Sequence, residues 1–195
     1  MPGGVGVLPG KYKCIVIYKN TKDSTWLEVL PDPRIPYDES LARAKYKLVK
    51  DFESVSEKAS KAFGFIRDSK KQLKALEGIK AFQQDSIKKE LEKWTKPIGV
   101  KLDSLEQLFL LPEDTKGIAY DDDKIGSKIQ NAQSYLSTSD GTLSENTGHA
   151  VNEAKNAVDS IVESLKMFEL KSWKPYQEML TGLPITLFPE PKKWD

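Results

Sequence analysis

The alternation typical of a β-strand appears close to the start of the chain. Over residues 11–18 every second side chain falls on the same face, which carries Tyr12, Cys14, Val16 and Tyr18. After a polar turn at 20–24, branched and aromatic residues resume over 25–30 and predict a second strand. Pro31 and Pro33 end it, because proline has no N–H to donate to a neighbouring strand.

A two-stranded hairpin is marginally stable alone in water and exposes two strand edges. This hairpin therefore needs a partner, and three kinds are open: the helices that follow, a second copy of the chain, or strands that precede it. The last is favoured, because the chain starts on glycines just before a strand and resembles the end of a truncated β-sandwich. The free edge also predicts a homodimer through the hairpin.

Beyond the prolines, apolar residues recur every three or four positions and predict amphipathic helices. We expect four helices, over about 38–78, 79–111, 124–136 and 144–175. The inward row of the second helix consists of Phe82, Ile87, Leu91, Trp94, Ile98, Leu102, Leu105 and Phe109.

Local signals set the ends of these helices. Asp38 and Ser144 are suitable N-caps, and Gly78 stands where the first helix can end. Pro97 predicts a kink or a short break in the second helix, and Pro175 predicts an end or a bend in the fourth.

The predicted fold class is mainly α, an antiparallel four-helix bundle preceded by a β-hairpin. Residues 1–33 form the hairpin, and residues 34–195 form the helical bundle. The segment 181–195 is too rich in proline for a regular helix, so we expect an extended strap over the bundle.

The balance of charge excludes two classes of partner. Thirty lysines and arginines face 29 aspartates and glutamates, a net charge of +1, which lacks the basic excess of a nucleic-acid module or of general binding to an anionic membrane. No apolar run approaches the ~20 residues of a membrane span. The single cysteine, Cys14, rules out an internal disulfide, and we expect it to be a buried strand thiol.

The search for chemistry yields no catalytic residue, no cofactor and no metal site. His149 is the only histidine and falls on a predicted helix surface, so zinc binding has no support. The run 121–123 is the densest acidic cluster, but its spacing does not match a calcium loop, and a solvated helix start is favoured. Phosphate-binding loops and a nucleophile elbow are missing from the sequence. We therefore predict that the chain is not an enzyme.

Four tryptophans remain as candidate contact residues. Trp94 lies on an inward row and is expected in the core, and Trp173 is expected to seal the bundle. Trp26 on the second strand and Trp194 near the C-terminus are the two candidates for an interface or a ligand-binding aromatic.

The segments 7–13 (VLPGKYK) and 27–34 (LEVLPDPR) resemble the end of an Ig-like domain that follows the propeller in large bacterial sortilin-like proteins of the BNR-repeat class, often labelled glycosyl hydrolases. There, a proline-glycine-x-tyrosine turn leads a strand, a closing strand ends in aspartate-proline-arginine, and a helical region follows. The resemblance implies that residues 1–33 end an Ig-like sandwich. It also implies export to the periplasm, the cell surface or the medium. It carries over no catalytic residue, because any activity belongs to the propeller.

These observations predict a non-catalytic C-terminal accessory or interaction domain of a larger exported protein. Its partners would be the upstream propeller and Ig-like domains. A carbohydrate-binding module that uses exposed aromatics such as Trp26 is the alternative, and a glycoside hydrolase in its own right ranks third. Glycan-dependent quenching of tryptophan fluorescence distinguishes the second hypothesis, and turnover of glycosides the third.

Overall fold

The predicted order of elements, a β-hairpin followed by four helices, is confirmed in a computed structural model that describes residues 6–111, 121–138 and 144–187. Strand β1 spans Gly10–Tyr18, strand β2 spans Thr21–Val29, and the two pair antiparallel. The second strand thus starts at Thr21 rather than Thr25, since the polar residues 21–24 continue the pairing. Lys19 makes the tight turn possible with a φ of 51°.

Helix α1 is the longest element, with 42 residues. The helical bounds are Glu39–Lys80 for α1, Asp85–Gln107 for α2, Ile125–Thr138 for α3, Glu145–Phe168 for α4 and Lys174–Gly182 for α5. A π-helical turn, Glu169–Trp173, joins α4 to α5.

The two predicted N-caps are confirmed. The Asp38 carboxylate accepts from the N–H of Leu41 at 3.1 Å, and the Ser144 hydroxyl accepts from the N–H of Thr147 at 3.2 Å. Each bond satisfies one of the N–H groups that a helix start leaves without a partner.

The end of the first helix differs from the prediction. Gly78 does not stop α1, which continues to Lys80 and is followed by a short turn. Phe82 falls in this turn and is exposed, so its predicted inward position is wrong. Gln83, its polar neighbour, is buried instead.

The two interior prolines act differently. Helix α2 is continuous through Pro97, so no break occurs. The carbonyl of Lys93 loses its N–H partner there, and Lys93 is exposed to water that can replace it. Ahead of Pro175 the helix widens into the π turn, where the N–H of Lys174 donates to the carbonyl of Glu169. The helix therefore continues through Pro175 instead of ending.

The directions of the helices follow from their side-chain contacts. Lys80 pairs with Glu92 at 2.7 Å, and the rings of Phe63 and Phe109 lie 5.2 Å apart, so α2 runs antiparallel to α1. Lys58 pairs with Asp159 at 3.3 Å, while the rings further along each helix, Phe65 and Phe168, lie 6.5 Å apart. Helices α1 and α4 therefore run in the same direction.

The parallel course of α1 and α4 arises at the junction between α2 and α3. The N–H of Ile125 donates to the carbonyl of Leu108 at 2.9 Å, and the N–H of Gly126 donates to the carbonyl of Phe109 at 3.1 Å. The start of α3 thus caps the end of α2, and the chain does not reverse direction beside α2. Helix α3 packs on α4 instead.

The core lies along the inward rows that the periodicity predicts. Buried side chains come from all four long helices and continue through the π turn to Tyr176. The most deeply buried large side chains are Tyr176, Ile66, Leu91, Leu102, Ile161 and Val158. Trp173 is buried as expected, against Phe168 and Tyr176 at ring distances of 6.2 and 5.7 Å.

Candidate interaction site

The hairpin is the most exposed element among the described residues. Its apolar side chains lie open to solvent, and Val16 and Trp26 are exposed to 62% and 70%. Cys14 is exposed too, so the predicted buried thiol is wrong. The alternation correctly assigns Cys14 to a face of the strand, but the Cys14 side chain is left open to solvent.

The register divides the hairpin into two unlike faces. Cross-strand partners point to the same side of an antiparallel pair. The first face, named the Cys14 face, carries Tyr12, Cys14, Val16 and Tyr18 opposite Leu27, Thr25, Asp23 and Thr21. The second face, named the Trp26 face, carries Lys11, Lys13, Ile15 and Ile17 opposite Glu28, Trp26, Ser24 and Lys22. Asp23 is the one charged residue in the first set, whereas the second set contains four.

The two edges also differ in charge. The outer edge of β1 has no charged residue from Cys14 to Tyr18. The outer edge of β2 carries Lys22, Asp23 and Glu28. Charged side chains are a common protection against unwanted strand pairing. The β1 edge is therefore the more suitable edge for an added strand.

A side-chain bond fixes the entry to β1. The hydroxyl of Tyr12 donates to the carbonyl of Leu8 at 2.6 Å and bridges the turn before the strand. A tyrosine two residues before a strand cysteine, bonded back to the upstream backbone, is the tyrosine corner of Ig-like domains, where it marks strand F. Tyr12 stands in that position relative to Cys14, although a partner cysteine is missing from the sequence.

Residues 32–35, after β2, form a local turn. The guanidinium of Arg34 donates to the carboxylate of Asp32 at 2.6 Å, and the N–H of Ile35 donates to the carbonyl of Asp32 at 3.2 Å. The bond from Arg34 lowers the pKa of the Asp32 carboxyl group. The motif thus separates the hairpin from α1.

The sequence-predicted candidates fall in different places. Trp26 lies on the exposed Trp26 face, and Trp194 lies outside the described residues. Trp94 is half-buried, with its indole N–H donating to the carboxylate of Glu90 at 2.9 Å. His149 is exposed on α4, as predicted.

The acidic run forms a local turn ahead of α3. The carboxylate of Asp121 accepts the N–H of Asp123 at 2.9 Å, which lowers the pKa of the Asp121 carboxyl group. Within the described ranges, no group of three metal-ligating side chains comes together. In the same ranges, no helix is long and apolar enough to cross a membrane.

No protein-family model, curated protein or solved structure is significantly similar to this chain. The resemblance to the BNR-repeat class therefore stays a prediction. The hydrogen bond from the Tyr12 hydroxyl to the Leu8 carbonyl is a feature that sequence reasoning missed. The spacing of Tyr12 and Cys14, two residues apart, was the signal that could have pointed to it.

Proposed function

We propose that this chain is a non-catalytic interaction domain whose hairpin completes an Ig-like β-sandwich in a larger exported protein of the BNR-repeat class. The bundle is the scaffold that carries the hairpin. The observation that carries this proposal is the exposed Cys14 face together with the tyrosine corner at its base.

Ig-like sandwiches end in an antiparallel pair of strands, F and G, and the tyrosine corner belongs to F. In this proposal β1 takes the place of F and β2 the place of G. The Cys14 face then packs on the opposite sheet, which fits its apolar composition with Asp23 confined to the hairpin tip. The β1 edge, which is uncharged from Cys14 to Tyr18, receives the neighbouring strand of its own sheet, and the β2 edge with Lys22, Asp23 and Glu28 stays at the border.

The test is titration calorimetry against the Ig-like domain of a BNR-repeat protein that is cut just before its own proline-glycine-x-tyrosine turn. Such a domain lacks the two strands that the hairpin would supply. We expect one-to-one binding and slow reaction of the Cys14 thiol with a disulfide reagent in the complex. The free chain reacts fast, because Cys14 is exposed.

Two neighbouring residues provide a matched pair of variants. Val16→Lys places a charge on the Cys14 face, and Ile17→Lys places the same charge on the Trp26 face. Burying an unpaired lysine costs several kcal/mol, so Val16→Lys should weaken binding by roughly 100-fold or more. Ile17→Lys should change it by less than about fivefold. Equal effects of both variants, or no binding by a chain whose bundle and hairpin are folded, refute the proposal.

Light scattering of the chain alone distinguishes a second copy as the occupant. If the chain does not bind the truncated Ig-like domain but forms a dimer that Val16→Lys dissociates, the partner of the hairpin is a second copy of the chain.

One observation favours the alternative of carbohydrate binding. Trp26 forms an open cleft with Lys11, Leu27 and Glu28, so an aromatic ring stands beside a cation and a carboxylate. Quenching of tryptophan fluorescence by soluble glycans, lost in Trp26→Ala, tests this function. Val16 does not line this cleft, so Val16→Lys should leave glycan binding unchanged.

A further inference from the structure

A groove of about 420 Å³ lies between α2 and the end of α4, outside the hairpin. Leu105 and the buried Phe168 form its floor, and Val100 and Met167 form exposed apolar rims. Its volume falls within the range typical of small-molecule sites.

The π turn shapes one wall of this groove. It turns Ser172 inward, and the ammonium group of Lys101 from α2 donates to the Ser172 hydroxyl at 2.8 Å. Lys171, next along the π turn, also lines the groove. The wall thus holds two cations close to the apolar floor.

Among the described residues, two nearby lysines are neutralised by ion pairs, whereas the two lysines that line the groove are not. Lys166 is paired with Glu163 at 2.6 Å, and Lys174 is paired with Glu169 at 3.6 Å. Within the described part of the chain, neither Lys101 nor Lys171 forms an ion pair, and the groove has no carboxylate in its lining. An apolar floor with unneutralised cations on one side is complementary to an anionic amphiphile.

We propose that this groove binds a free alkyl carboxylate of about eight to twelve carbons, a range in keeping with a small-molecule cavity. The alkyl chain lies on Leu105, Phe168 and Met167. The carboxylate accepts hydrogen bonds from Lys101 and Lys171, which is the stronger, charge-assisted type. The site is concave and the whole chain has a net charge of only +1, which favours a free molecule over a membrane surface.

Methyl NMR provides a direct test, because the chain contains three methionines, Met1, Met167 and Met179. The protein is labelled at the methionine methyl groups and titrated with octanoate, decanoate and dodecanoate below their micelle concentrations. Met167 should shift while Met179, which packs on the core, should not. Affinity should rise about threefold to fourfold for each added CH₂ group that the groove buries.

Charge variants separate this site from nonspecific adsorption. Lys101→Gln and Lys171→Gln should each weaken decanoate binding by up to about fivefold, the range for an exposed ion pair. Lys155→Gln, on the exposed side of α4, is the matched control and should have no effect. Equal affinity for octyl glucoside, a missing Met167 shift, or no dependence on chain length overturns the proposal. The proposal is also overturned if the protein sediments with anionic vesicles and does not bind decanoate, because the ligand would then be a membrane surface.

Discussion

Replacing Gly126 by alanine tests the end-to-end junction of α2 and α3. A Cβ atom at this position would lie 2.9 Å from the carbonyl oxygen of Phe109, closer than such atoms approach in proteins. One of the two helix ends must then move. The movement strains the bonds from Ile125 to Leu108 and from Gly126 to Phe109.

The magnitude follows from opposing terms. Glycine to alanine in a helix normally stabilises by about 1 kcal/mol. Losing the two backbone hydrogen bonds costs about 1 kcal/mol each. The buried side chains of Phe109 and Ile125 also lose packing, which adds about 1 kcal/mol more. We therefore expect Gly126→Ala to destabilise the protein by about 2 kcal/mol.

Gly64→Ala is the matched control, because Gly64 lies within α1 and a Cβ atom there meets nothing within 4 Å. This variant should gain about 1 kcal/mol from helix propensity alone. Urea unfolding followed by circular dichroism and by tryptophan fluorescence measures both changes and checks for a two-state transition. Stabilisation of the protein by Gly126→Ala to the same extent would show that the junction is not closely packed.

Three further predictions concern the C-terminal region and the hairpin. Tyr176→Phe should cost about 1 kcal/mol at pH 8, because the buried hydroxyl loses its 3.1 Å bond with Thr95. Burial raises the pKa of Tyr176, so the stabilisation is complete below the unfolded pKa of about 10 and is lost as pH rises through the folded value. Urea midpoints at pH 8 and pH 10.5 should therefore differ more for the wild type than for Tyr176→Phe, and an unchanged gap would exclude this phenol as the source. Gln83→Ala should free residues 183–187, because the Gln83 amide donates to the carbonyl of Thr186 at 2.7 Å and accepts its N–H at 2.8 Å. Hydrogen exchange should then be faster at the Thr186 amide and unchanged at the Ile66 amide. Deleting residues 6–33 should change the free energy of unfolding of the bundle, measured in urea, by less than about 0.5 kcal/mol, since the hairpin side chains are largely exposed. A clear loss of bundle stability would show that the hairpin packs on the helices.

Periodicity and capping residues allowed much of the fold to be predicted. The row from Val151 to Phe168 is buried because the period of a helix places its members on one side. Ser144 and Asp38 cap their helices through local bonds, which span only a few residues. Such signals involve residues that are close in sequence, so a short stretch of the chain is enough to recognise them.

Long-range relations could not be predicted in this way. Gln83 is buried because it bonds to Thr186, 103 residues away, and no local pattern specifies that pair. The course of α3 depends on carbonyls at the end of α2. For the candidate site, alternation correctly placed Cys14 on one face of β1 together with Tyr12, Val16 and Tyr18. It could not say whether another element covers either face, and for this reason the burial of Cys14 was predicted wrongly.

The parallel course of α1 and α4 has a consequence for synthesis on the ribosome. Lys58 of α1 pairs with Asp159 of α4, which follows 101 residues later in the chain. The side of α1 that packs on α4 therefore stays uncovered until α4 has been synthesised. At about 5–20 residues per second, that interval lasts roughly 5 to 20 s. During it, α1 and α2 can pair as a nascent antiparallel unit with the side that later receives Ile161 and Leu165 still bare. The emerging polypeptide would then present an apolar surface that is covered only when α4 leaves the exit tunnel.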